Sequence, residues 1–176
     1  PVKNQWKSIN EDGFDRFPEV VVVYELCTFN GHLYAATAGI NGFQLWKGKR
    51  TSKFDFKWEK VINKGAGRGA LNQGVISMCV FQEHLYIGTG IQNGGYDRTN
   101  RVGPAAGEVL RINKNDQYEI ICGQEREGKK PLSGYGAGFS NYFNAYIWKI
   151  QNINNSRLLI GTMDWSIFGL YTNQKD

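Results

Sequence analysis

Short apolar runs recur along the chain, and several alternate with a period of two. In "HLYIGTG" (His84–Gly90), Leu85, Ile87 and Thr89 fall on one face, and Tyr86 and Gly88 on the other. The runs are rich in Val, Ile, Tyr, Trp and Thr, and turn-forming residues separate them, as strands require. The pattern predicts four strands in a first stretch: "VVYELCTF", "HLYAATA", "FQLWKG" and "FKWEKVI". It predicts four more in a second: "VISMCVF", "HLYIGTG", "EVLRIN" and "YEIICG". A third stretch gives "AYIWKIQNI", "RLLIGTM" and "FGLYTN". No long window carries a helical period.

The three stretches are copies. A shift of 52 residues lays Leu33-Tyr34 on Leu85-Tyr86, Thr37 on Thr89, Cys27 on Cys79 and Gly13 on Gly65. A shift of 71 lays "GAGRGALNQGVI" on "GAGFSNYFNAYI" and Cys79 on Ile150; it becomes 73 past that strand, with Leu85 on Leu158 and Gly88-Thr89 on Gly161-Thr162. The repeats span approximately 13–62, 65–122 and 136–176 within a single domain, 1–176. The third lacks a fourth strand, and "QWKSIN" (5–10) is the candidate to supply it, because Trp6 matches Trp58 and Tyr118.

Four strands per unit at this spacing are the signature of a β-propeller blade. "GFSNYFNAYIWKI" followed by "LLIGTMDW" resembles the repeats of bacterial β-propeller proteins, whose blades read approximately GFG…N.YIW…F.G.LY.GT. The resemblance covers almost the whole chain. It implies an all-β fold of propeller blades, with the N-terminal strand completing the last. Propellers have about four to eight blades, so three imply part of a larger ring or a ring closed by further copies.

Composition agrees with an all-β protein. The chain of 176 residues contains 22 Gly and is 14% aromatic, which suits many tight turns. The net charge of +5 is scattered, with "KGKR" and "GKK" as its dense spots. That is not the clustered stripe of a nucleic-acid surface, and no apolar run approaches the ~20 residues of a membrane helix. Cys27, Cys79 and Cys122 are odd in number and lack metal-ligand spacing, so neither a disulfide framework nor a metal set is implied. His32 and His84 sit at matched turns, and Arg157 takes the third position, which argues against a histidine metal site.

The resemblance implies that loops after fourth strands and loops between second and third strands share one face, where propellers bind ligands. Those loops carry Arg68, Asn93, Tyr96, Asp97, Arg98, Asn141, Asn144, Asp164 and Trp165. Aromatic platforms beside amides, carboxylates and guanidinium groups suit a glycan, a peptide or a protein partner. The stretch "IQNGGYDRTNRVGPAAG" exceeds an ordinary blade turn and is the strongest candidate for specificity. A binding module is therefore the expected function, with no cofactor. The alternative is a lyase or hydrolase, with Asp97 or Asp164 as acid or base and Arg68 or Arg98 holding an anionic group. Calcium at an oxygen-rich site belongs with that alternative.

Overall fold

A computed structural model describes residues 6–10, 14–15, 19–53 and 55–166. The expected strand in "FGLYTN" lies outside the described residues. Among the described residues ten strands form one antiparallel, curled sheet. They fall into three groups. The first is a meander of β1 (Val22–Phe29), β2 (His32–Ala38), β3 (Leu45–Arg50) and β4 (Phe56–Ile62). The second is a meander of β5 (Gly74–Phe81), β6 (His84–Gly90), β7 (Val109–Ile112) and β8 (Tyr118–Cys122). The third is the hairpin of β9 (Asn144–Ile153) and β10 (Arg157–Asp164). The other ten strands read from the alternation are present to within two residues at either end. Helices among the described residues are single turns.

Main-chain pairing between the groups is thin. Ala38 bridges to Gly74, and Gly90 bridges to Tyr146. Loop amides add bonds from Gly39 to Gln73 O, from Phe43 to Asn72 O and from Gly107 to Asn144 O, and side chains do the rest. Tyr34, Ala36, Phe43 and Leu45 of the first group pack with Val75, Met78, Leu85, Ile87 and Leu110 of the second. Phe81, Tyr86, Val109 and Cys122 of the second pack with Ile147 and Ile150 of the third. Leu85 and Tyr86, adjacent in sequence, thus enter different cores on opposite faces, as the alternation requires. Gly88 permits the second contact: a Cβ there would lie 2.5 Å from Cγ2 of Ile147. Any side chain would push the groups apart.

The first strand of every group carries a bulge at the same place. Pairing skips Tyr24 between Val23↔Thr37 and Glu25↔Ala36. It skips Ile76 between Val75↔Thr89 and Ser77↔Gly88, and Trp148 between Ile147↔Thr162 and Lys149↔Gly161. A bulge re-aims its residue and bends the strand. The match fixes the register: Val75 corresponds to Ile147, a displacement of 72 residues and not 71. A slip of one residue exchanges the two faces of a strand. Cys79 therefore corresponds to Gln151 and not to Ile150.

The one-residue difference arises at the shared "GAG", which matches in sequence but not in backbone. The turn that the backbone repeats is Gly65-Ala66 and Gly138-Phe139, all four residues at φ between 55° and 63°. Gly65 N–H donates to Phe43 O, and Gly138 N–H to Gly107 O. An asparagine closes each turn: Asn72 Nδ2 donates to Gly65 O, and Asn144 Nδ2 to Gly138 O. The third group reaches its asparagine one residue sooner.

Residues 6–10 form no strand. They lie against β4, where Ile9 O accepts from Trp58 Nε1 at 2.8 Å and Lys7 pairs with Asp55. The expected completion of the third group by this segment gives way to a contact with the first group.

Candidate functional site

The two loop classes meet at one end of the sheet. The insertion 91–107 is clamped there by the buried Gln73. Its Nε2 donates to Asp97 Oδ2 at 2.6 Å, and its Oε1 accepts from the Gln92 N–H at 2.9 Å. Asp97 also accepts from the N–H groups of Thr99 and Asn100, and from Asn100 Nδ2 at 2.7 Å. Burial raises its pKa, but the hydrogen bonds from Asn100, Gln73 and Thr99 outweigh that and hold the carboxyl below its ordinary value. Asp97 is thus a buried loop anchor and not a solvent-facing ligand.

Arg68 is also turned inward. Its side chain is almost fully buried, with Nε 3.5 Å from Glu108 Oε1 and Nη1 donating to Ala106 O at 2.9 Å. Glu108 is completely buried. It accepts from Asn72 Nδ2 (2.7 Å), the Gln124 N–H (2.6 Å) and Arg126 Nη1 (3.1 Å). Arg126 Nε donates to Ala66 O at 2.6 Å. Burial lowers the Arg68 pKa and the charge of Glu108 opposes that shift. These groups join the linker before β5 to the insertion and to the segment after β8. Charge at Arg68 is consumed by structure. Glu108 and Arg126 were invisible as partners in the sequence, because one sits in an ordinary strand pattern and the other in a polar loop.

The remaining expected residues divide. Asn141 Nδ2 donates to Asp164 Oδ2 at 2.8 Å, and Asp164 Oδ1 caps the Ser166 N–H. The backbone and side chain of Ser166, then Asn141, hold the Asp164 carboxyl below its ordinary value. Both aspartates are therefore poor proton donors near neutrality. Asn144 closes its turn, Tyr96 is half-buried and Arg98 is exposed. The Trp165 N–H donates to Phe143 O, and its indole lies beside Gly95. The neighbouring Tyr142 donates to Pro104 O, which ties the insertion to the third group.

Asn93 lines a cleft. That cleft, of about 290 Å³, is formed by Tyr24, Ile76, Gln92, Asn93, Tyr146 and Trp148. Tyr24, Ile76 and Trp148 are the three bulged residues. The bulges place one side chain from each first strand in one cleft. Tyr146 and Trp148 stack at 5.3 Å and 26°, and Tyr146 Oη accepts from the Gly94 N–H, which fixes the floor. Tyr24 and Trp148 remain 45% and 54% exposed. The Tyr24 hydroxyl, the Trp148 indole N–H and the side-chain amides of Gln92 and Asn93 have no hydrogen-bond partner among the described residues. Among the described residues none that is charged lines the cleft. The pattern hid this site, because a bulged residue keeps its place in the sequence while changing its face.

A second cleft, lined by His32, Lys47, Lys49, Lys57 and Glu59, opens elsewhere on β3 and β4. Lys47 there is already paired with Asp116 at 2.7 Å. His32 Nδ1 and His84 Nδ1 each lie against a turn carbonyl, of Asn30 and Gln82, so both histidines serve their turns. Among the described residues no cluster of three His, Cys, Asp or Glu is placed to hold a metal ion, and no helix is long and apolar enough to cross a membrane. No known family model, curated protein or solved structure matches the chain.

Proposed function

We propose that the chain is an arc of a β-propeller that binds a neutral saccharide in the cleft between its first strands. The matched four-strand meanders, the repeated bulge and the thin pairing between groups support the propeller reading. The observation that carries the ligand is the cleft lining: half-exposed aromatic faces beside two free amides, with no charge among the described residues. Aromatic faces take the apolar surface of a sugar ring, and amides pair with its hydroxyls in both directions. An anionic ligand finds no cation among the described lining residues. An extended peptide would need a free main-chain edge, and the bulges interrupt it.

The test is titration of a panel of neutral oligosaccharides, followed by tryptophan fluorescence and calorimetry. Trp148→Ala is expected to weaken the best ligand about tenfold, the equivalent of ~1.4 kcal/mol. Asn93→Ala should give a smaller loss, and Arg98→Ala none. Binding of acidic peptides but of no saccharide would reject the reading.

A further inference from the structure

The two internal interfaces follow one rule. The residue before each bulge and the residue three further on face backwards: Val75 and Met78 in β5, Ile147 and Ile150 in β9. Two residues of each second strand face forwards: Tyr34 and Ala36 in β2, Tyr86 and Gly88 in β6. Val75 and Met78 pack with Tyr34 and Ala36. Ile147 and Ile150 pack with Tyr86, and Ile147 presses on Gly88.

The same register marks two further half-interfaces, one at each end of the array. Backwards from β1 stand Val23 and Leu26. They are 38% and 57% exposed, whereas Val75 and Met78 in the same positions are 0% and 9% exposed. Forwards from β10 stand Leu159 and Gly161. Leu159 is 55% exposed, against 0% for Tyr34 and 8% for Tyr86. Gly161 is also exposed, and among the described residues a Cβ there would meet only Lys149, its own strand partner. One chain thus carries an open knob and an open socket of a kind it fills twice internally. On that side Phe14 stacks on Trp46 of β3 at 5.1 Å, while Val23 and Leu26 of β1 stay exposed.

We infer that the Leu159–Gly161 face of one copy receives the Val23–Leu26 face of a second copy, head to tail. The interface is heterologous, so it closes into a ring only if the rotation per unit permits. Given the propeller reading, two copies supply six units and close. Both copies then line one channel with their bulged residues.

The test is the mass of the full chain in solution across the micromolar range, by light scattering and sedimentation. The wild type is expected at twice the mass of one chain. Val23→Lys and Leu159→Lys, each alone, should be monomeric with unchanged far-ultraviolet dichroism. An equimolar mixture of the two should regain dimers, because one variant keeps its socket and the other its knob. A wild type that stays monomeric overturns the inference, including the case where flanking units of a longer polypeptide fill these faces. A mixture that stays monomeric while both variants are folded does the same. Saccharide titration of the same samples separates the two proposals: binding by a monomer leaves the cleft reading standing alone, and a dimer without binding leaves only this one.

Discussion

Gln44 and Glu108 occupy the same point in successive meanders. Each N–H donates to the hydroxyl of the matched threonine, Thr37 at 3.0 Å and Thr89 at 2.8 Å. Their side chains then diverge. Gln44 donates to Asp15 at 2.7 Å and accepts from Trp46 Nε1 at 2.8 Å, and the charge of Asp15 is met by Lys60, which remains partly in solvent. Glu108 stands between two guanidinium groups with no access to water. The first node lies on the open backward face, where water shares the work. The second lies between meanders, where every charge must find its partner inside the protein. Position along the array, more than local sequence, therefore decides what a node can tolerate.

Removing Glu108 should give the largest effect. Glu108→Ala leaves two buried cations unpaired and should cost about 3–5 kcal/mol in urea unfolding. Replacing Arg68, Glu108 and Arg126 together by apolar residues of similar volume should recover most of that loss. Failure to recover would mean that the triad also sets the path of the insertion.

At the open node, Gln44→Ala should cost about 1–3 kcal/mol, because the Trp46 N–H loses its acceptor. If it costs as much as Glu108→Ala, the contrast between the nodes collapses. Asp97→Asn should cost about 1 kcal/mol and release the insertion, seen as faster amide exchange over 91–107. The pH dependence has a definite sign. The folded-state pKa of Asp97 is depressed, so its stabilisation is complete above the unfolded value of about 3.9. It is lost as pH falls through the lower folded value. Wild type and Asp97→Asn should therefore converge in acid. Smallest of all, Lys114→Ala removes a solvent-exposed pair with Glu83 and should leave the unfolding midpoint where it was.

The strands were legible because period-two alternation survives in a single sequence, and "HLYAATA" and "HLYIGTG" match their strands end to end. The bulges were not legible. Tyr24, Ile76 and Trp148 sit inside unbroken apolar runs, and only pairing shows that they are skipped. The same blindness produced the one-residue error between the second and third copies, where an identical "GAG" outweighed the unlike turn that the backbone adopts. Of the loop residues, Asn93 was found in the cleft. Arg68, Asp97 and Asn144 stand out in the sequence for their polarity, and that polarity is spent inside the fold. A sequence displays hydrogen-bonding groups but not whether the fold has already used them.

The thin pairing between meanders has a consequence for the history of such a chain. Strand pairing across each boundary is a single bridge, and the other main-chain bonds there come from the linkers, such as Phe43 N–H to Asn72 O and Gly107 N–H to Asn144 O, so adding or deleting one four-strand stretch in frame leaves the strand ladders within each meander intact. What must match across a new boundary is a knob and a small residue opposite it, as Ile147 and Gly88 do. A unit added in frame would thus have to match a few side-chain volumes and the buried charges at Glu108, whereas a long insertion such as 91–107 can differ between meanders without touching their strands.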